Sequence, residues 1–159
     1  MEKMTIEVKK LDLVKIWRSS TKVEGSIGGS VEFKFGMSVN RATLKPMIEA
    51  IDSLQTPSEK ITEYLGKYHA LLKGYEDKKL TPEEAQKSFD GDILTLNEEY
   101  KDAIQERNAQ LQEFEQFLND TITVDLYPVT VEDLLSAFKA VDQRKVTQED
   151  FTNMMLLVK

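Results

Sequence analysis

The chain has 159 residues, 40% hydrophobic and 31% charged, with no cysteine and a formal net charge of −7. A chain of this length can bury roughly two thirds of its unfolded surface, so a core is possible without covalent staples. The absence of cysteine excludes disulfides, thiolate nucleophiles and thiolate metal sites.

Residues 5–17 read as a strand: Ile6 and Val8 alternate with Glu7 and Lys9, and a phase shift after Leu11 and Leu13 to Val14 and Ile16 predicts a bulge near Asp12. Residues 19–30, with Gly25, Gly28 and Gly29 among serines and threonines, read as a turn or flexible loop. Val31, Phe33 and Phe35 alternate with Glu32 and Lys34, the pattern of a half-buried strand that would pair with the first across the glycine-rich loop. Residues 1–36 are thus expected to form a β-hairpin.

Helix is predicted from Asn40, with Leu44, Ile48, Ile51 and Leu54 on one stripe. Thr56-Pro57-Ser58-Glu59 is a start signal, with Thr56 as cap and Pro57 in the first turn, so the chain either kinks or restarts there. Ile61, Leu65, Tyr68, Leu72 and Tyr75 continue the period as a heptad-like seam. Thr81-Pro82-Glu83-Glu84 repeats the capping signal, Asp90-Gly91-Asp92 predicts a break, and a second long helix carries Ile93, Tyr100, Ile104, Leu111, Phe114 and Leu118. Residues 40–118 are therefore expected to fold as a long antiparallel helical hairpin. Ile122, Val124 and Leu126 form a last strand. Thr130 with Asp133, and Thr147 with Asp150, open two short helices, giving residues 121–159 as a strand plus two helices. The expected fold is a single α+β domain: a long antiparallel helical hairpin with a small antiparallel β-sheet at its base and two short C-terminal helices.

Catalytic and metal chemistry finds little support. His69 is the only histidine, and no serine sits in a nucleophile-elbow pattern. Asp90 and Asp92 begin like a calcium loop, but Ile93 and Leu94 end the alternation of oxygen ligands. The stretch from Asp142 to Glu149 has the rhythm of a calcium hand, yet lacks glycine and holds Arg144 and Lys145. Gly25-Ser26-Ile27-Gly28-Gly29-Ser30 lacks the lysine and following helix of a phosphate loop. Ser19-Ser20-Thr21-Lys22 matches a Ser-x-x-Lys pattern without its partner motifs. The reading is a non-enzyme without cofactor or metal.

Protein recognition has more to stand on. Trp17 and Arg18 are residue types favoured as interface anchors. Residues 90–120 carry nine acids and two bases, which disfavours direct nucleic-acid binding because phosphates need clustered cations. Glu98, Glu99, Asp102, Glu106 and Glu113 on that segment are candidates for a protein-facing surface, either in ordinary recognition or as an acidic imitation of nucleic acid that inhibits a partner. The hairpin seam is also a candidate for pairing with a second copy. Residues 1–10 are charged and hold no apolar stretch of secretory length, and no run approaches the roughly 20 residues of a membrane span. The expected location is the cytoplasm, the host's if the chain is viral, without membrane association. The Asn119-Asp120-Thr121 sequon is read as chance.

The order of elements also resembles a known set. Val31-Glu32-Phe33-Lys34-Phe35 precedes an Asn40-led helix, a charged hairpin contains Leu96-Asn97-Glu98-Glu99-Tyr100, and Ile122-Thr123-Val124-Asp125-Leu126-Tyr127 leads to Val131-Glu132-Asp133-Leu134. Over residues 31–158 this is similar to small proteins encoded by tailed phages and prophages, which have no assigned activity. The resemblance implies a phage accessory protein that binds a host or defence protein, or that assists assembly of phage components. It carries no catalytic residue.

Overall fold

The computed structural model describes residues 1–78 and 80–159. It is an α+β protein with seven α-helices and a two-stranded antiparallel sheet among the described residues. The elements are β1 (Met4–Lys9), α1 (Lys10–Val23), α2 (Val31–Ser53), α3 (Glu59–Glu76), α4 (Pro82–Glu99), α5 (Lys101–Asn119), β2 (Thr121–Leu126), α6 (Val131–Lys139) and α7 (Gln148–Met154), closed by a 3₁₀ turn at Met155–Leu157. The chain divides into two compact units, Met1–Leu54 with Glu115–Lys159, and Gln55–Phe114.

In the first unit β1 pairs with β2, with Met4 opposite Leu126, Ile6 opposite Val124 and Val8 opposite Ile122. Both strands alternate as a one-sided sheet requires, apolar residues inward and Thr5, Glu7, Thr123 and Asp125 outward. The Thr5 hydroxyl donates to Asp125 at 2.6 Å across the outer face.

The expected β-hairpin over residues 1–36 is not formed. The first strand ends at Lys9 and α1 begins at once. Leu13, Ile16, Ser20 and Val23 are buried at spacings of three and four, so the phase shift after Leu13 marks a change of period from two to 3.6, not a bulge. The second predicted strand is the first turn of α2. Ser30 caps it, its hydroxyl accepting from the Phe33 N–H at 3.1 Å. Phe33, Met37, Asn40 and Leu44 form the buried face, while Val31 and Phe35 point outward. The alternation Val31, Phe33, Phe35 was therefore a coincidence of one inward and two outward residues.

The turn between α1 and α2 is docked, not loose. Ser26 Oγ donates to the Ala137 carbonyl at 2.8 Å, the Gly29 N–H to Ser136 Oγ at 3.0 Å, and the Ser30 N–H to Asp133 Oδ1 at 2.7 Å. A Cβ on Gly28 would lie 2.2 Å from the Ser136 carbonyl oxygen, so only glycine allows this approach to α6.

In the second unit α3 and α4 run antiparallel: Tyr64, early in α3, bonds Asn97 near the end of α4 at 2.8 Å, whereas Tyr75, at the end of α3, bonds Asp92 and meets the Phe89 ring at 5.6 Å, both earlier in α4. The chain restarts after Leu54 and does not merely kink, and Ser58, not Thr56, is the cap of α3. Thr81 makes the expected capping box with Glu84. The predicted break at Asp90-Gly91-Asp92 is absent, because α4 passes through it; the interruption falls at Tyr100 (φ −107, ψ 18). It is slight: Tyr100 N still donates to Leu96 O at 3.1 Å and Ile104 N to Tyr100 O at 2.9 Å.

Buried Asn40 ties α2 to the end of β2. Its amide donates to the Tyr127 carbonyl at 2.9 Å and accepts from the Tyr127 N–H at 2.7 Å, so one side chain supplies both bonds that a third strand would have made. Asn40→Leu leaves both backbone groups unpaired and should destabilise the chain by about 2–4 kcal/mol, measured as a fall in urea midpoint at unchanged slope.

Candidate protein-interaction surfaces

Three surfaces stand out, and each lies within one unit. The first is a hollow of about 300 Å³ in the first unit, where α1, the turn after it and α2 meet. Val23, Phe33 and Met37 form its apolar floor, with Glu24, Lys34 and Arg41 at the rim. Arg41 is fixed from three sides. Its guanidinium stacks on Trp17 at 4.3 Å, donates to Ser20 Oγ at 2.8 Å and Thr21 Oγ1 at 3.0 Å, and pairs with Glu24 at 3.0 Å. Lys34 Nζ donates to the Ile27 carbonyl at 3.0 Å. Ile27, Val31 and Phe35 are 85%, 77% and 56% exposed, Phe35 resting against the Tyr127 ring at 5.9 Å.

The expected anchor pair is thus split. Trp17 is half-buried and occupied by Arg41, whereas Arg18 is exposed. Arg41 itself was missed from the sequence, because its role arises from a stack across two helices. The Ser-x-x-Lys pattern is structural: Ser19 donates to Asp150 at 3.0 Å and Lys22 pairs with Asp150 at 2.8 Å, holding α1 against α7.

The second surface is the acidic row. Asp102, Glu106 and Glu113 are exposed and fall within about 40° of one another on the α5 wheel at ~100° per residue. Among the described residues none of the three forms an ion pair. Glu98 pairs with Lys101 at 3.7 Å and Glu99 with Lys67 at 3.0 Å, so these two are partly neutralised. Tyr100 donates to Glu63 at 2.7 Å, which holds that carboxyl below its usual range and pushes the phenol up. Asp90 lies on α4 and Asp92 accepts from Tyr75; Asp142 is bound by the Arg144 side chain at 3.0 Å. Among the described residues no group of three histidine or carboxylate side chains converges to hold a metal. His69 is exposed beside Tyr68.

The third surface is the outer face of α3. The seam against α4 keeps Tyr68 and Tyr75 of the expected stripe and uses Tyr64 and Leu71 in place of Leu65 and Leu72. Leu65 and Leu72, seven residues apart, are left 41% and 38% exposed.

No family model, curated protein or solved structure matches this chain. No helix among the described residues is long and apolar enough to cross a membrane.

The Asp150 carboxyl is a direct test of how α1, the wall of the hollow, is held. Burial pushes its pKa up, but Lys22, the Thr147 N–H, Ser19 and the Thr147 hydroxyl together bring it below its ordinary value. A depressed carboxyl contributes stability that is present above the unfolded value of about 3.9 and is lost as pH falls through the folded one. Asp150→Asn should therefore cost about 1–3 kcal/mol near neutrality, and the gap to the parent chain should narrow below about pH 4 in urea titrations run across pH.

Proposed function

We propose that this chain is a non-enzymatic protein-binding accessory factor, phage-encoded and directed at a host or defence protein, working in the cytoplasm. The observation that carries the reading is a pair of uncovered apolar side chains on α3 together with an unpaired charged row on α5. Leu65 and Leu72 keep heptad spacing on the open face of α3, and Asp102, Glu106 and Glu113 form an unpaired acidic row on α5. Apolar surface at helical spacing with an unpaired charged edge is the chemistry of a protein interface. The phage assignment rests on the resemblance over residues 31–158 alone.

Two other readings have an observation each. The acidic row supports nucleic-acid mimicry less well than ordinary recognition. Glu98, Asp102, Glu106 and Glu113 are four carboxylates over about 22 Å at about 1.5 Å of rise per residue, where the same length of duplex axis carries about six phosphates on each strand. Lys101 and Arg107 dilute it further. The Leu65 and Leu72 spacing supports a structural or assembly role in which α3 pairs with a second copy.

The test is affinity capture from bacterial lysate with the intact chain as bait, its mass measured alongside by light scattering. One host protein recovered near equal amount by the parent chain, and lost from Asp102→Lys/Glu106→Lys with the helical spectrum unchanged, is the expected result. No specific partner together with a defined homo-oligomer would replace this reading with the assembly role.

A further inference from the structure

We infer that the hollow between α1 and α2 is a binding site for a peptide segment of a partner protein in which a large apolar side chain sits beside a carboxylate. The inference deepens the protein-binding reading and names the ligand chemistry. At about 300 Å³ the hollow lies at the small end of ligand pockets, which run ~300–1,000 Å³, with room for one large apolar side chain and part of the residue beside it. Its floor of Val23, Phe33 and Met37 offers only apolar contact to whatever enters.

The rim decides the charge of the ligand. Its titratable groups are Lys34, Arg41 and Glu24. Glu24 is already engaged by Arg41 at 3.0 Å, which leaves the exposed Lys34 ammonium, steadied by the Ile27 carbonyl at 3.0 Å, as the cation facing an incoming group. A net positive rim on a chain of charge −7 is a local reversal of the overall field. It attracts an anionic segment here, whereas residues 90–120, with nine acids and two bases, repel one. Arg41, held by Trp17, Ser20, Thr21 and Glu24, fixes the wall of the hollow beside Lys34, and a preorganised site loses less entropy on binding.

Trp17 is the single tryptophan and stacks on the rim arginine, so its fluorescence reports on the hollow directly. The test titrates the full chain with three blocked pentapeptides, Gly-Asp-Phe-Asp-Gly, Gly-Asp-Ala-Asp-Gly and Gly-Lys-Phe-Lys-Gly, reading Trp17 emission and backbone amide shifts. The acidic phenylalanine peptide should bind at least tenfold more tightly than either control, with shifts confined to residues 17–41. Lys34→Glu, a change at an exposed side chain, should weaken that peptide about tenfold and favour the lysine-flanked one. Equal response to the three peptides, shifts centred elsewhere, or indifference to Lys34→Glu would overturn the inference. A lysate partner still captured through the Asp102 and Glu106 row, with none of these peptides bound, would sink this site and leave the protein-binding reading standing.

Discussion

Pairing of β1 with β2 is the constraint on which the first unit depends. It joins residues 4–9 to residues 121–126, so the unit closes only when the two ends of a long excursion meet. A two-stranded ribbon is marginal in water by itself, and here it is completed by other means. Asn40 satisfies the Tyr127 backbone with its side-chain amide, α1 follows β1 without a connecting loop, and Val129 bonds Leu157 at 2.9 Å to bring the chain's last turn back beside the sheet. The Asn40 and Val129 contacts are hydrogen bonds to backbone groups that would otherwise be left without a partner.

The parts legible in the sequence were those with a local signature. The capping pairs Thr81 with Glu84, Thr130 with Asp133 and Thr147 with Asp150 placed three helix starts correctly, because a cap is a three-residue interaction. The strand at Ile122, Val124 and Leu126 was read from clean alternation. The misreadings at residues 10–39 share one cause. Short apolar runs of Leu, Val, Ile and Phe fit both periods, and the arbiters were long-range: Asp150 accepting from Ser19, and Ser136 meeting Gly28. A usable signal was present in Phe33, Met37, Asn40 and Leu44, spaced four, three and four behind a serine cap, but the more familiar alternation of Val31, Phe33 and Phe35 overrode it. Of the candidate site, the acidic row was visible in the charge distribution. The Trp17–Arg41 stack was not, since it joins residues on two helices whose pairing no local pattern encodes.

The two units differ in how they are held. The first has a buried apolar core of Leu13, Ile16, Leu44, Leu126, Leu134 and Met154. Among the described residues of the second, Ile61, Leu96, Tyr100 and Ala103 alone are buried. Its α3–α4 seam is built largely of tyrosines whose rings meet and whose hydroxyls bond Asn97, Asp92 and Glu63. Such a seam fixes register through specific polar contacts while gaining less from burial than a leucine seam does. A helical pair held this way, with Leu65 and Leu72 uncovered, gains stability from any partner that covers it, because a ligand that binds the folded form adds its binding free energy to folding.

Native-state hydrogen exchange resolved along the chain tests this division most directly. Amides of β1, β2 and α1 should exchange together through global unfolding, while those of α3 and α4 exchange through a separate, lower-energy opening with protection at least about tenfold weaker, a gap of roughly 1.4 kcal/mol. Equal protection in both sets, rising and falling together with denaturant, would show one cooperative core and contradict the account of α3–α4 as a thinly held, partner-facing surface.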